Sequence, residues 1–247
     1  MMLAKRPCEL RDNDHSYWWL PTQERMTISV TGVTSHGKPP VDYSKFPEAA
    51  PRGTHVHRAM EALAYQSIEL GWCKKADAEG DELAWEAAPE AWDQFMDHHG
   101  TTSPEGVDCT PWIDQLVSMP FWSQIEVLGC EFTMVHRKKS LGGQLDLLCV
   151  FKDKCLLVDL KTKSKSWKAP NNEDIYSYKA QAGGYLYLLH SGDDAGPGQI
   201  VDQCRTLVVT PTQVKWLPPM DPDDCYFAWE ECWDKYSASL ETSACPF

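Results

Sequence analysis

The segment LGGQLDLLCVFKDKCLLVDLKTK, residues 141–163, places acidic and basic side chains in apolar, strand-like surroundings. Asp146 interrupts the first apolar run, and the second run carries Asp159 followed two positions later by Lys161. A carboxylate that is buried without a partner costs several kcal/mol, so burying two of them needs a compensating interaction. These residue types at this spacing indicate a charged cluster with a chemical role.

A two-residue turn at residues 152–153 would fold this segment into an antiparallel hairpin. Counting outward from that turn, Asp146 lies directly opposite Asp159, with Cβ atoms about 5 Å apart. Lys161 projects from the same face, because side chains two positions apart on a strand share a face. A three-residue turn would shift the register by one residue, so this pairing depends on the turn.

Two carboxylates this close repel each other, and a divalent cation converts that repulsion into binding. Oxygen ligands of this kind suit Mg²⁺ or Mn²⁺. Lys161 can then neutralise charge that develops on a phosphoryl group or orient an attacking water. The pattern favours metal-dependent cleavage of a phosphodiester; a half-exposed hairpin whose polar face carries these charges is the structural alternative.

The elements around the hairpin predict an α/β fold. Hydrophobic patterns predict three strands over residues 126–163, a helix over 171–190, two strands over 200–217 and an amphipathic C-terminal helix over 221–240. Residues 52–125 are predicted to be mainly helical, including 81–98 and 110–125, and the β-branched TISVTGVTS segment before them to be a strand or extended. We therefore expect residues 1–247 to form a single domain with a mixed central sheet flanked by helices.

Composition and charge restrict the class of protein. The chain has 247 residues, ten cysteines and a net charge of -13, without an apolar run long enough to span a bilayer or the core of a signal peptide. This predicts a protein in the cytoplasm, or in the host cytoplasm if it is viral, with reduced cysteines and no membrane partner. The charge excludes a passive nucleic-acid coat, but HRKK at 136–139 and the lysine-rich stretch 152–168 suit a local phosphate-binding surface.

The ordered motifs carry a resemblance to a known family. GGQLD followed by DLK resembles the core of the PD-(D/E)xK nuclease superfamily, most closely its RecB-like exonuclease branch, which includes phage-type exonucleases and the mitochondrial genome maintenance exonuclease. Two further elements of that branch are present in order: RGTHVH, which contains His57, and QAGGYLYLL, which contains Gln181 and Tyr185. The set extends over residues 52–185, about half of the chain.

The resemblance implies a fold, an activity and a set of site residues. The fold would be a restriction-endonuclease-like core, and the activity that of a DNA exonuclease dependent on Mg²⁺ or Mn²⁺. The metal ligands would be His57, Asp146, Asp159 and the carbonyl group of Leu160. The catalytic residues would be Lys161, Asp159, Asp146 and Glu131. The residues that bind substrate or orient Lys161 would be Gln181, Tyr185, Lys163 and Trp167.

Several alternatives stay open at the level of sequence. Glu131 could be an outer or second-metal carboxylate, or an edge-strand glutamate that meets the basic HRKK segment. The chain could be a non-catalytic nucleic-acid-binding subunit, a restriction-type endonuclease, or an iron–sulfur nuclease. The cysteines for such a cluster would be Cys225, Cys232 and Cys245 with Cys8 or Cys73. DNA is the expected partner, and an oligomer is compatible with the sequence.

Overall fold

The computed structural model describes residues 3–11, 14–39, 42–67, 90–195 and 200–243. The α-helices are α1 (Val30–Thr34), α2 (Ala49–Gln66), α3 (Ala91–His98), α4 (Thr110–Val117), α5 (Asn172–Ser191) and α6 (Pro222–Ser243). The strands are β1 (Cys8–Arg11), β2 (Ser16–Trp19), β3 (Glu24–Arg25), β4 (Ile28–Ser29), β5 (Ile125–His136), β6 (Leu141–Phe151), β7 (Lys154–Thr162), β8 (Gln203–Thr210) and β9 (Gln213–Trp216). Short 3₁₀ turns occur at Leu20–Thr22, Tyr43–Lys45, Trp122–Gln124 and Arg137–Lys139.

The hairpin of β6 and β7 has the predicted turn and register. Lys152 and Asp153 both take positive φ angles, 50° and 60°, as a two-residue hairpin turn requires. The strands pair from Phe151–Lys154 to Leu147–Val158. The register prediction is thus confirmed along this length.

The predicted direct pairing of Asp146 with Asp159 is wrong, because the hairpin ladder ends one residue earlier. Beyond that point β7 continues as the parallel partner of β8, with Asp159 beside Thr206. The beginning of β6 instead pairs in parallel with β4. The backbone N–H of Leu160 donates a hydrogen bond to Oδ2 of Asp146 at 2.6 Å. The two strands therefore separate at the aspartates and leave a cleft between them.

The main sheet is mixed and centres on β6. Strand β5 pairs antiparallel along one edge of β6. Along the other edge of β6, β4 pairs with its first residues and β7 with its last residues. Strands β8 and β9 extend the sheet beyond β7. This is the order that the predicted fold class requires, a restriction-endonuclease-like core with a central mixed sheet.

Helices cover both faces of this sheet. Helices α2 and α4 contact each other and the sheet, as do α5 and α6. Two residues of β6 show that these are opposite faces, since residues three positions apart on a strand face opposite sides. A Cβ at Gly143 would meet Leu188 and Tyr185 of α5, whereas Oδ1 of Asp146 lies 3.6 Å from Nδ1 of His57 on α2. The flanked-sheet prediction is confirmed.

The N-terminal segment forms a separate small sheet that the sequence did not predict. Strands β1, β2 and β3, here called the N-terminal ribbon, pair antiparallel. Trp19 and Met26 are buried against Val135 of β5. Arg6, just before the ribbon, donates hydrogen bonds to the carbonyl groups of Leu188 and Leu189, at 2.8 and 2.7 Å. The guanidinium thereby satisfies carbonyl groups at the C-terminal end of α5, which fixes the ribbon to the domain.

The TISVTGVTS segment differs in part from its prediction. Residues 28–29 form a strand as expected, but residues 30–34 form helix α1. The side chain of Ser29 caps this helix by accepting a hydrogen bond from the backbone N–H of Gly32 at 3.0 Å. The cap and the burial of Val30 and Val33 outweigh the β-propensity of the branched residues.

Most of the remaining element predictions agree with the structure, but the helix predicted over residues 110–125 ends at Val117, and a 3₁₀ turn precedes β5. Helices α5 and α6 lie where residues 171–190 and 221–240 were predicted to be helical, and α5 begins with a capping box between Asn171 and Asp174. The mainly helical N-terminal portion contains α2, α3 and α4; its residues 68–89, including part of the predicted 81–98 helix, lie outside the described residues. None of the described helices combines the length and apolar character needed to cross a bilayer.

Candidate active site

The cleft between β6 and β7 is the centre of the candidate active site. It has a volume of about 630 Å³ and is lined by side chains from α2, the central strands, α5 and the N-terminal ribbon. His57, Asp146, Asp159 and Lys161 all face this cleft. Residues that are far apart in the sequence thus share one cavity.

Helix α2 carries the histidine. Its apolar face, including Val56, Met60 and Leu63, is buried against the sheet, and His57 lies beside that face at the cleft. Nδ1 of His57 lies 3.4 Å from Oε1 of Glu131 and 3.6 Å from Oδ1 of Asp146.

The neighbouring histidine of α2, His55, is oriented away from the cleft, because residues two positions apart on a helix point about 200° apart. His55 is buried and its Nε2 lies 3.0 Å from the carbonyl oxygen of Gly100. It packs against Phe95 of α3. His57 is therefore the histidine of this helix that faces the carboxylates.

Glu131 occupies a distorted position in β5. The ladder pairs on either side, Cys130–Leu147 and Phe132–Leu145, place Glu131 opposite Asp146, but its φ is 45°. The carbonyl oxygen of Glu131 accepts a hydrogen bond from Nε2 of Gln144 at 3.0 Å instead of joining the ladder. A left-handed backbone costs a residue with a side chain about 1–2 kcal/mol, and such strain is typical of functional sites.

This geometry brings Glu131 to His57 and not to the HRKK segment. The basic residues have other partners: Arg137 pairs with Asp193, and Lys139 lies over the rings of Tyr187 and Trp233. The interpretation of Glu131 as an edge glutamate that meets HRKK is therefore wrong. Its proposed catalytic role stays a prediction.

The ligand atoms of His57, Glu131 and Asp146 lie within 4.8 Å of one another. Oε1 of Glu131 is buried and accepts no hydrogen bond with good geometry from the described part of the chain. A buried carboxylate oxygen without a hydrogen-bond donor is unfavourable unless a cation compensates it. One imidazole nitrogen with two carboxylate oxygens is a donor set that suits Mn²⁺ or Mg²⁺.

Burial and mutual repulsion perturb the pKa values of this group. Burial raises the pKa of Asp146 to about 7, and the charges of Asp159 and Glu131 act in the same direction. Burial disfavours the imidazolium of His57, but the carboxylates of Asp146 and Glu131 outweigh it and raise the pKa of His57 to about 9. Without a cation the cluster thus retains a proton, which a bound divalent cation would replace.

Lys161 and Asp159 form the second half of the site. Nζ of Lys161 donates hydrogen bonds to Oδ1 of Asp159 at 2.9 Å and to Oε1 of Gln181 at 3.0 Å. Nε2 of Gln181 in turn donates to the hydroxyl oxygen of Tyr185 at 2.8 Å. Burial alone would lower the pKa of Lys161, but the charges of Asp159 and Asp146 raise it, so the amine stays an ammonium.

Helix α5 positions Gln181 and Tyr185 by its periodicity. Residues four positions apart lie on the same helix face, and both side chains line the cleft. The predicted QxxxY pair therefore reaches Lys161: Gln181 contacts the lysine directly, and Tyr185 contacts Gln181.

Three further residues that were predicted to bind metal or substrate keep those roles as predictions. Lys163 and Trp167 are absent from the described lining of the cleft: the backbone N–H of Lys163 donates to Val209 and that of Trp167 to Ser164. Leu160 contributes its N–H to Asp146, and a role of its carbonyl group as a metal ligand stays a prediction.

The iron–sulfur alternative gains no support from the described residues. Among the described residues, the group of potential metal ligands consists of His57, Glu131 and Asp146 and contains no cysteine. Cys8 lies on β1, where its thiol donates to the carbonyl oxygen of Thr133, while Cys225 and Cys232 lie on α6. Cys73 and Cys245 lie outside the described residues.

Some cleft residues were missed by the sequence analysis. Arg58 and Glu61 lie one and four positions after His57, and helical periodicity could have indicated at least Glu61. Leu10 and Tyr17 come from the N-terminal ribbon, and no local pattern connects them with the hairpin.

The fold and the site define a mixed α/β protein with a carboxylate–histidine cluster and an adjacent lysine. A family model described as the PD-(D/E)XK nuclease superfamily matches residues 35–223. The chain therefore belongs to the PD-(D/E)XK nuclease superfamily. Membership indicates a nuclease, a hydrolase that acts on nucleic acid.

The likeness to one solved structure is weak. A solved structure described as "Crystal structure of SSO0001" matches with a TM-score of 0.27 and 15% sequence identity. The match covers 49% of this chain and 54% of the solved chain, so this chain spans about half the length of that protein. The comparison with curated proteins found no match.

Proposed function

We propose that the chain is a divalent-metal-dependent DNA exonuclease of the RecB-like branch. The observation that carries the proposal is the convergence of His57, Glu131 and Asp146 beside the Lys161–Asp159 pair. The ordered RGTxxH, GxxD, DxK and QxxxY elements support the assignment to this branch. Superfamily membership supports the coarser statement, that the substrate is nucleic acid.

The charge of the cleft supports a requirement for a cation. Among the described residues that line it, five are acidic and four are lysine or arginine. The acidic side chains are those of Glu9, Glu61, Glu131, Asp146 and Asp159. A bound divalent cation would add positive charge to this mixed surface and so favour a polyanionic substrate.

We assign His57, Glu131 and Asp146 as the residues that would hold Mg²⁺ or Mn²⁺, with Asp159 on the β7 side of the cleft. The cation would supply Lewis-acid stabilisation of the phosphate and a water of lowered pKa. The hydrogen bond from Leu160 fixes the carboxylate of Asp146, which leaves Oδ1 directed toward His57.

Lys161 would act on the scissile phosphate. Its ammonium group is held by Asp159 and Gln181, so it is positioned before substrate arrives. A fixed cation in a partly dry cleft stabilises negative charge that develops on a phosphoryl oxygen. Lys161 can also donate a hydrogen bond to the attacking water and so orient it.

Gln181 and Tyr185 would keep Lys161 in position. Tyr185 is buried, and burial raises the pKa of its hydroxyl group well above the ordinary value, so the group stays neutral. Its oxygen accepts the hydrogen bond from the Gln181 amide, which leaves the amide oxygen available for Lys161. The side chains would thus act as a support for the ammonium group.

Digestion of end-labelled linear DNA and of closed circular DNA tests the proposal. Each substrate is incubated with Mg²⁺, Mn²⁺ or EDTA. An exonuclease degrades the linear DNA from its ends, spares the circle and is inactive in EDTA. Cutting of the closed circle would identify an endonuclease, and binding without metal-dependent cleavage would identify a non-catalytic subunit.

A further inference from the structure

Tyr17 of the N-terminal ribbon packs directly on the strand that carries Asp146. A Cβ added at Gly142 would overlap the Cβ, Cγ and Cδ2 atoms of Tyr17. The absence of a side chain at Gly142 therefore allows the tyrosine to lie against the backbone of β6. Tyr17 also lines the catalytic cleft and is partly exposed there.

Tyr17 lines the same cleft as the carboxylates of Glu131 and Asp146. Burial raises the pKa of its hydroxyl group, and the negative charges of Glu131 and Asp146 raise it further. The side chain therefore stays a neutral phenol at physiological pH. A neutral aromatic group next to the carboxylates adds contact surface without adding charge.

Leu10 extends this surface. It is the cross-strand partner of Tyr17, and both side chains line the cleft. Directly opposed residues of two antiparallel strands project from the same face, so the two form one apolar patch. The same cleft holds the acidic and basic groups of the site, so the patch lies close to groups that suit a phosphate and its cation.

The patch is held rigidly. Trp19, on the same face of β2 as Tyr17, is buried with Met26 and Val135. The guanidinium group of Arg137 lies over the ring of Trp19, with its Cζ atom 4.9 Å from the ring centroid. Together with the hydrogen bonds of Arg6 to α5, these contacts fix the position of Tyr17 before any ligand binds. A fixed aromatic side chain loses little conformational entropy on binding.

We propose that Tyr17 is a substrate-positioning residue whose ring, together with Leu10, receives the nucleobase adjacent to the phosphate at the carboxylates. This inference rests on the proposed nuclease function. The apolar patch fits the face of a base, whereas the charged groups fit the phosphate and its cation. Stacking on an aromatic ring is tolerant of sequence, because every base has a π face.

The test compares ordinary DNA with DNA that lacks one base. End-labelled oligonucleotides carry either a normal nucleotide or an abasic residue at each of the terminal positions in turn. The proteins are the wild type, Tyr17→Ala, Tyr17→Leu and Tyr17→Phe. Leucine retains an apolar contact with Gly142 but removes the ring, so it provides a second variant if the alanine variant folds poorly.

Trp18→Ala is the matched control on the same strand. Trp18 is absent from the described lining of the cleft and stacks instead with Arg11, whose Cζ atom lies 4.1 Å from the ring centroid. Cleavage is measured as KM and kcat, and folding is checked by thermal melting.

We expect Tyr17→Ala and Tyr17→Leu to raise KM on ordinary DNA roughly five- to hundredfold, the range for loss of one stacked base. The abasic residue should cause the same loss in the wild type at one position and no further loss in these variants. Tyr17→Phe and Trp18→Ala should resemble the wild type.

Two results would overturn the inference about Tyr17 alone. If Tyr17→Ala and Tyr17→Leu raise KM equally on ordinary and on abasic DNA, the ring only fills space. If Tyr17→Phe raises KM as much as Tyr17→Ala, the hydroxyl group and not the ring is what matters. Absence of cleavage by the folded wild type with Mg²⁺ or Mn²⁺ would overturn the proposed function and this inference with it.

Discussion

Glu131 on β5 and Asp146 on β6 lie opposite each other at a point where the backbone of Glu131 takes a φ of 45°. Both carboxylates face Nδ1 of His57, at 3.4 and 3.6 Å. The strained residue is thus the one that completes a cluster of potential metal ligands. Local strain that persists in such a place is consistent with a functional requirement for that geometry.

Removal of divalent metal ions should abolish nuclease activity. Without a metal ion the cluster of His57, Glu131 and Asp146 retains a proton, and a bound divalent cation would take its place. We expect EDTA to eliminate cleavage and Mn²⁺ to restore it. Mn²⁺ should also raise the melting temperature, because a ligand that binds the folded state stabilises it. Full activity in EDTA would contradict the assignment.

Two replacements of Glu131 should distinguish the cost of its left-handed backbone from the contribution of its carboxylate to metal binding. Glu131→Gly removes both the carboxylate and the cost of the left-handed backbone, whereas Glu131→Ala removes only the carboxylate. We expect the glycine variant to be about 1–2 kcal/mol more stable to urea than the alanine variant. Both should bind Mn²⁺ more weakly than the wild type by calorimetry. Equal stability of the two variants would show that no strain is stored at this residue.

Loss of Lys161 should affect the chemical step. Its ammonium group is held by Asp159 and Gln181 within the cleft. We expect Lys161→Ala to lower kcat by about 10²–10³-fold with little change in KM, since removing one preorganised donor has effects of this size. The control is Lys179→Ala, which removes an exposed ion pair of α5 with Asp224. A comparable loss of kcat in the control would argue against a specific role.

The ion pair between Arg137 and Asp193 should give a pH-dependent contribution to stability. Burial alone would raise the pKa of Asp193, but its hydrogen bonds from the backbone N–H and Nε of Arg137, at 2.6 and 3.1 Å, lower it. A depressed pKa in the folded state contributes stability above the unfolded value of about 3.9. That contribution is lost as the pH falls through the folded pKa.

We therefore expect Asp193→Asn to lower the free energy of unfolding by about 1–3 kcal/mol at pH 7. The difference from the wild type should diminish as the pH falls below about 4. Urea unfolding at pH 7 and pH 3 measures both values. Asp97→Asn, an exposed position on α3, is the control and should have no such effect. A difference that is independent of pH would contradict the ion-pair explanation.

Much of the candidate site could be predicted because it depends on local rules. The turn at residues 152–153 and the strand periodicity determined the hairpin register that the structure confirms. The helical spacing of Gln181 and Tyr185 placed both on one face of α5. In each case the relevant residues belong to one helix or to two strands joined by a two-residue turn, where backbone geometry alone decides which side chains are neighbours.

The tertiary structure decided the rest. Where β6 and β7 separate, at the aspartates, β7 continues beside β8 and the beginning of β6 pairs with β4, and both partners lie far away in the sequence. The contact of Tyr17 with Gly142 depends on a small sheet anchored by Arg6 to the end of α5. The sequence by itself determined which chemical groups are present and which neighbours share a strand or helix face. Long-range packing decided which of them meet, because burial of the core, not local propensity, sets those contacts.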